Sequence, residues 1–160
     1  MTTADPERLL GAEALGDALE RLWAAVSPRK AVGGWGTVEL DRAEVEVAAA
    51  LAERHDLRDP RVKDAPDERL LGARCRLLRY DGDRDMLLLE PSTEGRLAAA
   101  LARHGEGSLA LYLVVDAGAA DRARKAGFTV GSAGAGPLGP ERLVVAGPRD
   151  GPFLLLAGLD

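Results

Sequence analysis

The chain has 160 residues with a net charge of −5, and 46% of the residues are hydrophobic and 29% charged. This length predicts one domain, or two small modules that share a core. The acidic balance argues against nucleic-acid binding, and no stretch is apolar enough for a signal peptide or a membrane span. We therefore expect a cytoplasmic globular protein, without an internal disulfide because Cys75 is the single cysteine.

The first part of the chain predicts helices and strands in alternation. Leucines at helical spacing indicate a helix that ends at Ser27. Residues 31–40 are predicted to form a strand, and residues 42–54 a helix with a stripe of small apolar side chains. Residues 56–69 are dense in charge and contain prolines, so they are predicted to form a surface loop.

The middle of the chain predicts a hairpin, a helix and another strand. Residues 72–80 and 86–89 are expected to pair around an Asp-Gly turn, because this dipeptide favours tight hairpins. Residues 92–107 are expected to contain a linking helix that stops at the glycines of the sequence GEG. Residues 109–115 are rich in β-forming side chains and predict the next strand.

The last part of the chain predicts a similar order of elements. Residues 117–125 predict a short helix, and residues 128–130 begin a strand. Residues 131–140 are rich in glycine and proline and are predicted to form a loop. Residues 141–146 and 152–157 predict a closing hairpin.

An internal repeat points to the fold class. The sequence RLLRYDGDRDMLLLEP parallels RLVVAGPRDGPFLLLAG near the end of the chain. A repeat of this length indicates two copies of one structural unit. The chain therefore predicts an α+β fold made of two βαβββ modules, with an additional N-terminal helix.

These motifs resemble the vicinal oxygen chelate superfamily, which includes glyoxalase, bleomycin-resistance and methylmalonyl-CoA epimerase-like proteins. The resemblance rests on a strand that ends in LEP, a helix, and a strand led by GEG. It implies paired modules that form a curved mixed sheet around a cavity. The implied parts are an N-terminal helical extension at 1–30, modules at 31–91 and 108–160, and a linking helix at 92–107.

The resemblance also implies a divalent metal that is held by ligands from four strands. The matching positions in this chain are Trp35, Leu87, Ala110 and Leu155, or Leu154 if the register shifts by one residue. None of these side chains binds a metal. We therefore expect that the metal ligands have been lost and that the protein holds no cofactor.

The other reactive side chains have structural explanations. His55 and His104 lie at predicted helix ends, where the helix dipole favours histidine. Cys75 is expected to be a small residue of the sheet rather than a nucleophile, because no histidine neighbours it in the sequence.

Strand alternation selects candidate ligand-binding residues on the predicted inner face of the sheet. This face combines rings, leucines and a few polar groups, which is typical of a site for an apolar ligand. The candidates are Trp35, Thr37, Glu39, Arg76, Tyr80, Leu87, Ala110, Tyr112 and Leu155.

Glu39 is the one acidic residue among these candidates. A buried ion pair with Arg74 or Arg76 would explain its position. The catalytic alternative is a general base with a raised pKa.

Three functions are compatible with these residues. The first is a metal-free, bleomycin-resistance-like protein that binds a small apolar organic molecule, such as a natural product or antibiotic, between the modules. The second is a metal-independent epimerase or isomerase that uses Glu39 as base. The third is a structural or regulatory module with a filled cavity, whose partner is another protein or a second copy in a homodimer. Whether the protein is an enzyme stays open at this point.

Overall fold

The computed structural model describes residues 16–55, 60–81, 84–145 and 152–158. Within these ranges the chain forms four helices and nine strands. The helices are α1 (Asp17–Val26), α2 (Leu40–His55), α3 (Arg96–His104) and α4 (Ala119–Lys125). The strands are β1 (Lys30–Gly36), β2 (Arg61–Glu68), β3 (Ala73–Asp81), β4 (Arg84–Pro91), β5 (Gly107–Val114), β6 (Thr129–Val130), β7 (Gly134–Gly136), β8 (Gly139–Val145) and β9 (Phe153–Ala157).

The strand order confirms the paired βαβββ arrangement. The first module has the order β2-β3-β4-β1, and the second has the mirrored order β5-β9-β8-β6, with β7 paired to β8. Within each module the first and last strands run parallel, β1 with β4 and β5 with β9. β1 and β5 then pair antiparallel at the centre, so the two modules share one mixed sheet.

One face of the sheet is covered by helices. Leu22 and Val26 are one helical turn apart in α1, so both side chains point at the sheet and are fully buried there. They share a cluster with Leu111 and Leu113 of β5 and with α4. α2 covers the first module in the same way, with Leu51 packed against β3 and β4. Among the helices of the described ranges, none has the length and apolarity needed to span a membrane.

The opposite face holds a larger apolar cluster, here called the concave core, to which both modules contribute. β2 at one edge of the sheet contacts β7 near the other, so the sheet curls around this cluster. α3 also packs into it. Its buried members are Val32, Leu71, Ala73, Cys75, Leu77, Leu87, Leu89, Leu97, Ala100, Leu101, Leu109, Ala110, Tyr112, Phe153, Leu155 and Ala157.

Three predicted elements differ from those observed. The strand predicted at 31–40 already ends at Gly36, and α2 begins at Leu40. The loop predicted at 56–69 contains β2, an edge strand whose exposed charges conceal any hydrophobic period. The glycine-rich loop predicted at 131–140 contains β7 and the start of β8.

Other predictions agree with the structure or fall outside it. α2 ends at His55 and α3 at His104, which confirms that both histidines lie at helix ends. β3 and β4 pair antiparallel as the predicted hairpin requires. The tips of the two predicted hairpins, at 82–83 and 146–151, and residues 1–15 lie outside the described residues.

Candidate functional site

The concave core is tightly packed where the two modules meet. Gly34 of β1 pairs with Leu87 of β4 on one side and with Ala110 of β5 on the other. A Cβ atom added at Gly34 would lie 2.9 Å from Ala110 Cβ, 3.1 Å from Leu89 Cδ1 and 3.3 Å from Tyr112 Cε2. These side chains therefore fill the space above the central strand, and only glycine fits beneath them.

Tyr112 brings a polar group into this apolar cluster. Its side chain is fully buried, and its hydroxyl donates a hydrogen bond to Glu68 Oε1 at 2.8 Å. Glu68, at the end of β2, is also fully buried, and its Oε2 accepts a hydrogen bond from the Leu71 backbone N–H at 3.1 Å. Each carboxyl oxygen of Glu68 therefore has a donor, and the Tyr112 hydrogen bond links the two modules.

Glu141, near the start of β8, is a second fully buried glutamate. Neither of its carboxyl oxygens accepts a hydrogen bond from a donor among the described residues, and the Glu68 carboxyl lies within hydrogen-bond reach of it. The carboxyl group lies against Gly136 of β7, where an added Cβ atom would come within 1.6 Å of Oε1. The missing side chain at Gly136 thus provides the space that the Glu141 carboxyl occupies.

Burial controls the protonation of these groups. Burial is the largest of the causes that raise the pKa of Glu141 to about 10, and the nearby Glu68 carboxyl raises it further. Glu141 is therefore a neutral carboxylic acid at neutral pH. Burial, reinforced by Glu68 and Glu141, also raises the pKa of Tyr112 well above its usual value, so its hydroxyl keeps the proton that it donates.

Cys75 of β3 lies in the concave core, as the sequence predicted for a small buried residue. Burial, followed by the charge of Glu68, raises the pKa of its thiol. The thiol therefore stays protonated at neutral pH and is a poor nucleophile.

Four of the predicted ligand-binding residues meet in the concave core. They are Leu87, Ala110, Tyr112 and Leu155. Tyr112 is in register with Leu155 on β9, and Gly34 of β1 lies in register between Ala110 and Leu87, so the four positions lie side by side across the module boundary.

Three other candidates face the opposite side of the sheet. Trp35 and Tyr80 pack against the cluster beneath α2. Arg76 forms ion pairs with α2, at 2.8 Å to Asp41 Oδ1 and 2.6 Å to Glu44 Oε2. The prediction that these residues point inward is wrong, because a one-residue shift in alternation moves every side chain of a strand to the other face.

Thr37 and Glu39 lie beyond the end of β1. Thr37 is buried, and its Oγ1 donates a hydrogen bond to Glu106 Oε1 at 2.5 Å. The Glu39 side chain is 63% exposed and lies 3.8 Å from the Arg42 guanidinium. The prediction that Glu39 faces inward and pairs with Arg74 or Arg76 is therefore wrong, since the strand has ended before it.

An open cleft of about 420 Å³ lies beside the N-terminus of α2, and Glu39, Arg74 and Arg76 are among its lining residues. Arg74 forms an ion pair with Glu90. Glu90 Oε2 also accepts a hydrogen bond from the Leu40 backbone N–H at 2.8 Å. The arginines of this cleft are thus paired with neighbouring carboxylates, as in a structural ion-pair network.

Sequence reasoning missed both buried glutamates. Glu68 lies in the charged stretch that was predicted to be a loop, where its neighbours give no signal of burial. Glu141 offered a usable signal, because residues two apart in a strand point to the same face, and Glu141 is two residues before Leu143 in the last hairpin. An acidic residue on the same face as a leucine that packs against the core indicates a buried carboxyl.

The residues that the resemblance assigns to metal-ligand positions do not fit a metal. Leu87, Ala110 and Leu155 lie in the concave core and have no donor atom in their side chains, and Trp35 packs on the opposite face of the sheet. Across the described ranges, no three His, Cys, Asp or Glu side chains come close enough together to hold a metal. No step of chemistry is therefore assigned to a metal.

Comparisons with known proteins identify the fold. The sequence matches no protein-family model and no curated protein. The structure is similar to hypothetical protein BH1468 from Bacillus halodurans C-125, with a TM-score of 0.61 and 17% identity over 78% of this chain and 88% of that one. It is also similar to methylmalonyl-CoA epimerase from Mycobacterium tuberculosis, with a TM-score of 0.60 and 22% identity over 82% of this chain and 87% of that one. The chain therefore has the fold of the vicinal oxygen chelate superfamily.

Proposed function

We propose that this protein is a metal-free, bleomycin-resistance-like member of this fold group that binds a small apolar organic molecule in the concave core between its modules. The observation that carries the proposal is the Glu141 carboxyl, which is fully buried and accepts no hydrogen bond from a donor among the described residues. Buried polar groups normally have hydrogen-bond partners, and ligand sites are mostly apolar with a few orienting polar groups. An apolar interior with an unsatisfied carboxyl fits this description.

Entry of a ligand requires movement, because the concave side chains are in van der Waals contact. The short strand β7 is the part best suited to move, because it is rich in glycine and pairs with β8 through only three residues. Displacement of β7 would uncover Glu141, while β8 stays paired with β9 in the sheet.

Binding is supported over catalysis by the position of Glu39. As the proposed base of a metal-independent isomerase it would have to face the cavity, but its side chain lies in solvent at the start of α2. The exposed position of Glu39 does not distinguish a binding protein from a structural or regulatory module, so experiment has to separate these two functions.

Methyl NMR provides a test with an internal control. Leu87, Leu89 and Leu155 face the concave core, whereas Leu88 and Leu156, on the same strands, face the helices. Addition of compounds from a library of small apolar natural products should shift the methyl signals of the first set and leave the second set nearly unchanged. A library that moves no concave methyl signal would overturn the proposal and favour a filled, non-binding module.

Three further expectations belong to this proposal. They are a cytoplasmic location, one compact domain that contains the modules at 31–91 and 108–160, and a homodimer. Cell fractionation, the cooperativity of urea unfolding and sedimentation analysis test them in turn.

A further inference from the structure

Three oxygen-bearing side chains converge in the concave core. Glu68 and Tyr112 are joined by the 2.8 Å hydrogen bond from the tyrosine hydroxyl. Glu141 lies within hydrogen-bond reach of the Glu68 carboxyl, yet neither of its oxygens accepts a hydrogen bond from a donor in the described part of the chain. A buried acceptor without a donor is costly, so a group that donates hydrogen bonds to this cluster would stabilise the protein.

We propose that the ligand carries a primary ammonium group, which is bound by Glu141, Glu68 and Tyr112. This inference rests on the proposed function and names the chemical class of the ligand. An ammonium group has three N–H donors and no acceptor. The three side chains offer matching acceptors, since the Tyr112 oxygen retains lone pairs while its proton is donated to Glu68.

The charge balance of the cluster favours a cation over a neutral donor. Two neighbouring carboxyls in an apolar core cannot both ionise without a compensating positive charge, and Glu141 is therefore neutral when the cluster is empty. A bound ammonium supplies that charge. The Glu141 proton then leaves to solvent, so one proton is released for each ammonium bound, and no covalent bond to carbon forms or breaks.

The surrounding side chains specify the rest of the ligand. Leu155 is in register with Tyr112 and Ala157 with Glu141, and both present only apolar surface to the concave core. A divalent metal is a poorer match, because no three His, Cys, Asp or Glu side chains of the described residues are grouped to ligate it. The geometry therefore points to an amine on an apolar chain rather than to an inorganic ion.

A route to the cluster lies at the glycine hairpin. An open cleft of about 380 Å³ is lined by Gly134, Gly136, Gly139 and Pro140, together with alanines. Gly136 both lines this cleft and lies against the Glu141 carboxyl. Displacement of one short glycine segment would thus connect solvent with the buried acid.

The test compares n-hexylamine with 1-hexanol, which share a chain length and differ in the head group. Titrations near neutral pH are followed through the concave methyl signals and through the carboxyl ¹³C signals of the glutamates. Hexylamine should bind at least about tenfold more tightly than hexanol, because hydrogen bonds to charged groups are stronger than neutral ones. Only the amine should move the Glu141 carbon signal from the acid to the carboxylate position.

The variant Glu141→Gln should abolish the preference for the amine over hexanol, because an amide carries no charge to pair with the ammonium group. Glu46→Gln, at an exposed site on α2, is the matched control and should retain the preference. Equal affinities of the wild type for both compounds would overturn the ammonium inference while leaving the proposed function intact. The absence of any concave methyl shift would overturn the proposed function itself. If Glu141→Gln does not fold, the carboxyl ¹³C signal of the wild type decides the question.

Discussion

Asp85 of β4 and Glu141 of β8 are both buried carboxyl residues of one sheet, and their surroundings differ sharply. Asp85 Oδ2 accepts a hydrogen bond from Lys30 Nζ at 2.7 Å, and its Oδ1 accepts one from Arg79 Nε at 2.8 Å. Glu141 accepts no hydrogen bond from a donor among the described residues, and it lies beside a second carboxyl, that of Glu68. Burial of a carboxyl is thus ordinary in this protein, and the missing donor is what distinguishes the candidate site.

The difference in partners reverses the direction of the pKa shift. Burial alone would raise the pKa of Asp85, but hydrogen bonds from Arg79 and Lys30 outweigh it and lower the pKa. Burial and the Glu68 carboxyl raise the pKa of Glu141 to about 10. Stability should therefore fall at acidic pH where Asp85 is protonated, and at alkaline pH where Glu141 must lose its proton.

The largest expected effect is a loss of stability at alkaline pH. Folded Glu141 keeps a proton that the unfolded chain releases, so the free energy of unfolding should fall by about 1.4 kcal/mol per pH unit between about pH 5 and pH 9. Urea unfolding at each pH measures this slope. Glu141→Gln should flatten it, whereas parallel slopes for the variant and the wild type would show that Glu141 is not held neutral.

The next largest effect is expected for Gly136→Ala. The added Cβ atom would collide with the Glu141 carboxyl, and overpacking of this kind costs about 1–3 kcal/mol. Gly131→Ala is the control, because a Cβ atom there meets the Leu143 carbonyl at 3.5 Å, an ordinary contact distance. Chemical denaturation compares the two variants, and equal stabilities would mean that the carboxyl does not fill the space above Gly136.

A smaller effect is expected for Asp85→Asn. The change removes the Asp85 carboxylate from Lys30 and Arg79, but these side chains are 37% and 50% exposed and already contact water. We therefore expect a loss of about 1–2 kcal/mol, less than for a fully buried pair. The stability that Asp85 provides is present above its unfolded pKa and is lost on acidification, so the cost should vanish at low pH.

An exposed ion pair serves as the control for the stability measurement on Asp85→Asn. Asp121→Asn breaks a 3.2 Å pair with Arg124 in which Asp121 is 77% exposed. Its effect should stay within about 0.5 kcal/mol at every pH. A loss as large as that of Asp85→Asn would show that burial does not explain the role of Asp85.

The smallest effect that should still be measurable is that of Tyr112→Phe. The change removes one donor to Glu68 Oε1 without opening a cavity, while the Leu71 N–H still serves Oε2. Loss of this hydrogen bond should cost about 1 kcal/mol in the melting or denaturant transition. If Tyr112→Phe leaves the free energy of unfolding unchanged, Glu68 accepts a hydrogen bond from another donor, and the three oxygen-bearing side chains do not form a fixed cluster.

The fold was predictable because its main signals are local. The repeated RLL and RLV segments, the Asp-Gly turn and the glycines around Glu106 all act over a few residues. The face of each strand was harder to assign, because Trp35 is flanked by glycines and either side of β1 could have been the inner one. Its orientation follows from Ala110, Leu89 and Tyr112, which leave no room for a side chain at Gly34.

The candidate site was predictable only in its apolar part. Leu87, Ala110, Tyr112 and Leu155 follow from alternation within single strands. The carboxyl cluster depends on the curl of the whole sheet, which brings Glu68 of β2 towards Glu141 of β8. No pattern within either segment encodes that approach, since it arises from tertiary packing.

The central pairing of β1 with β5 also affects how the chain folds. It joins Lys30 to Val114 and Gly36 to Gly107, so most of the first module and α3 lie between the partners in sequence. Closing such a long loop costs entropy before the contacts form, and topologies rich in distant pairings fold slowly. Until that step is complete, β1 and β5 each present an unpaired edge. Joining of the modules is therefore the step during synthesis at which two copies of the chain are most prone to exchange strands.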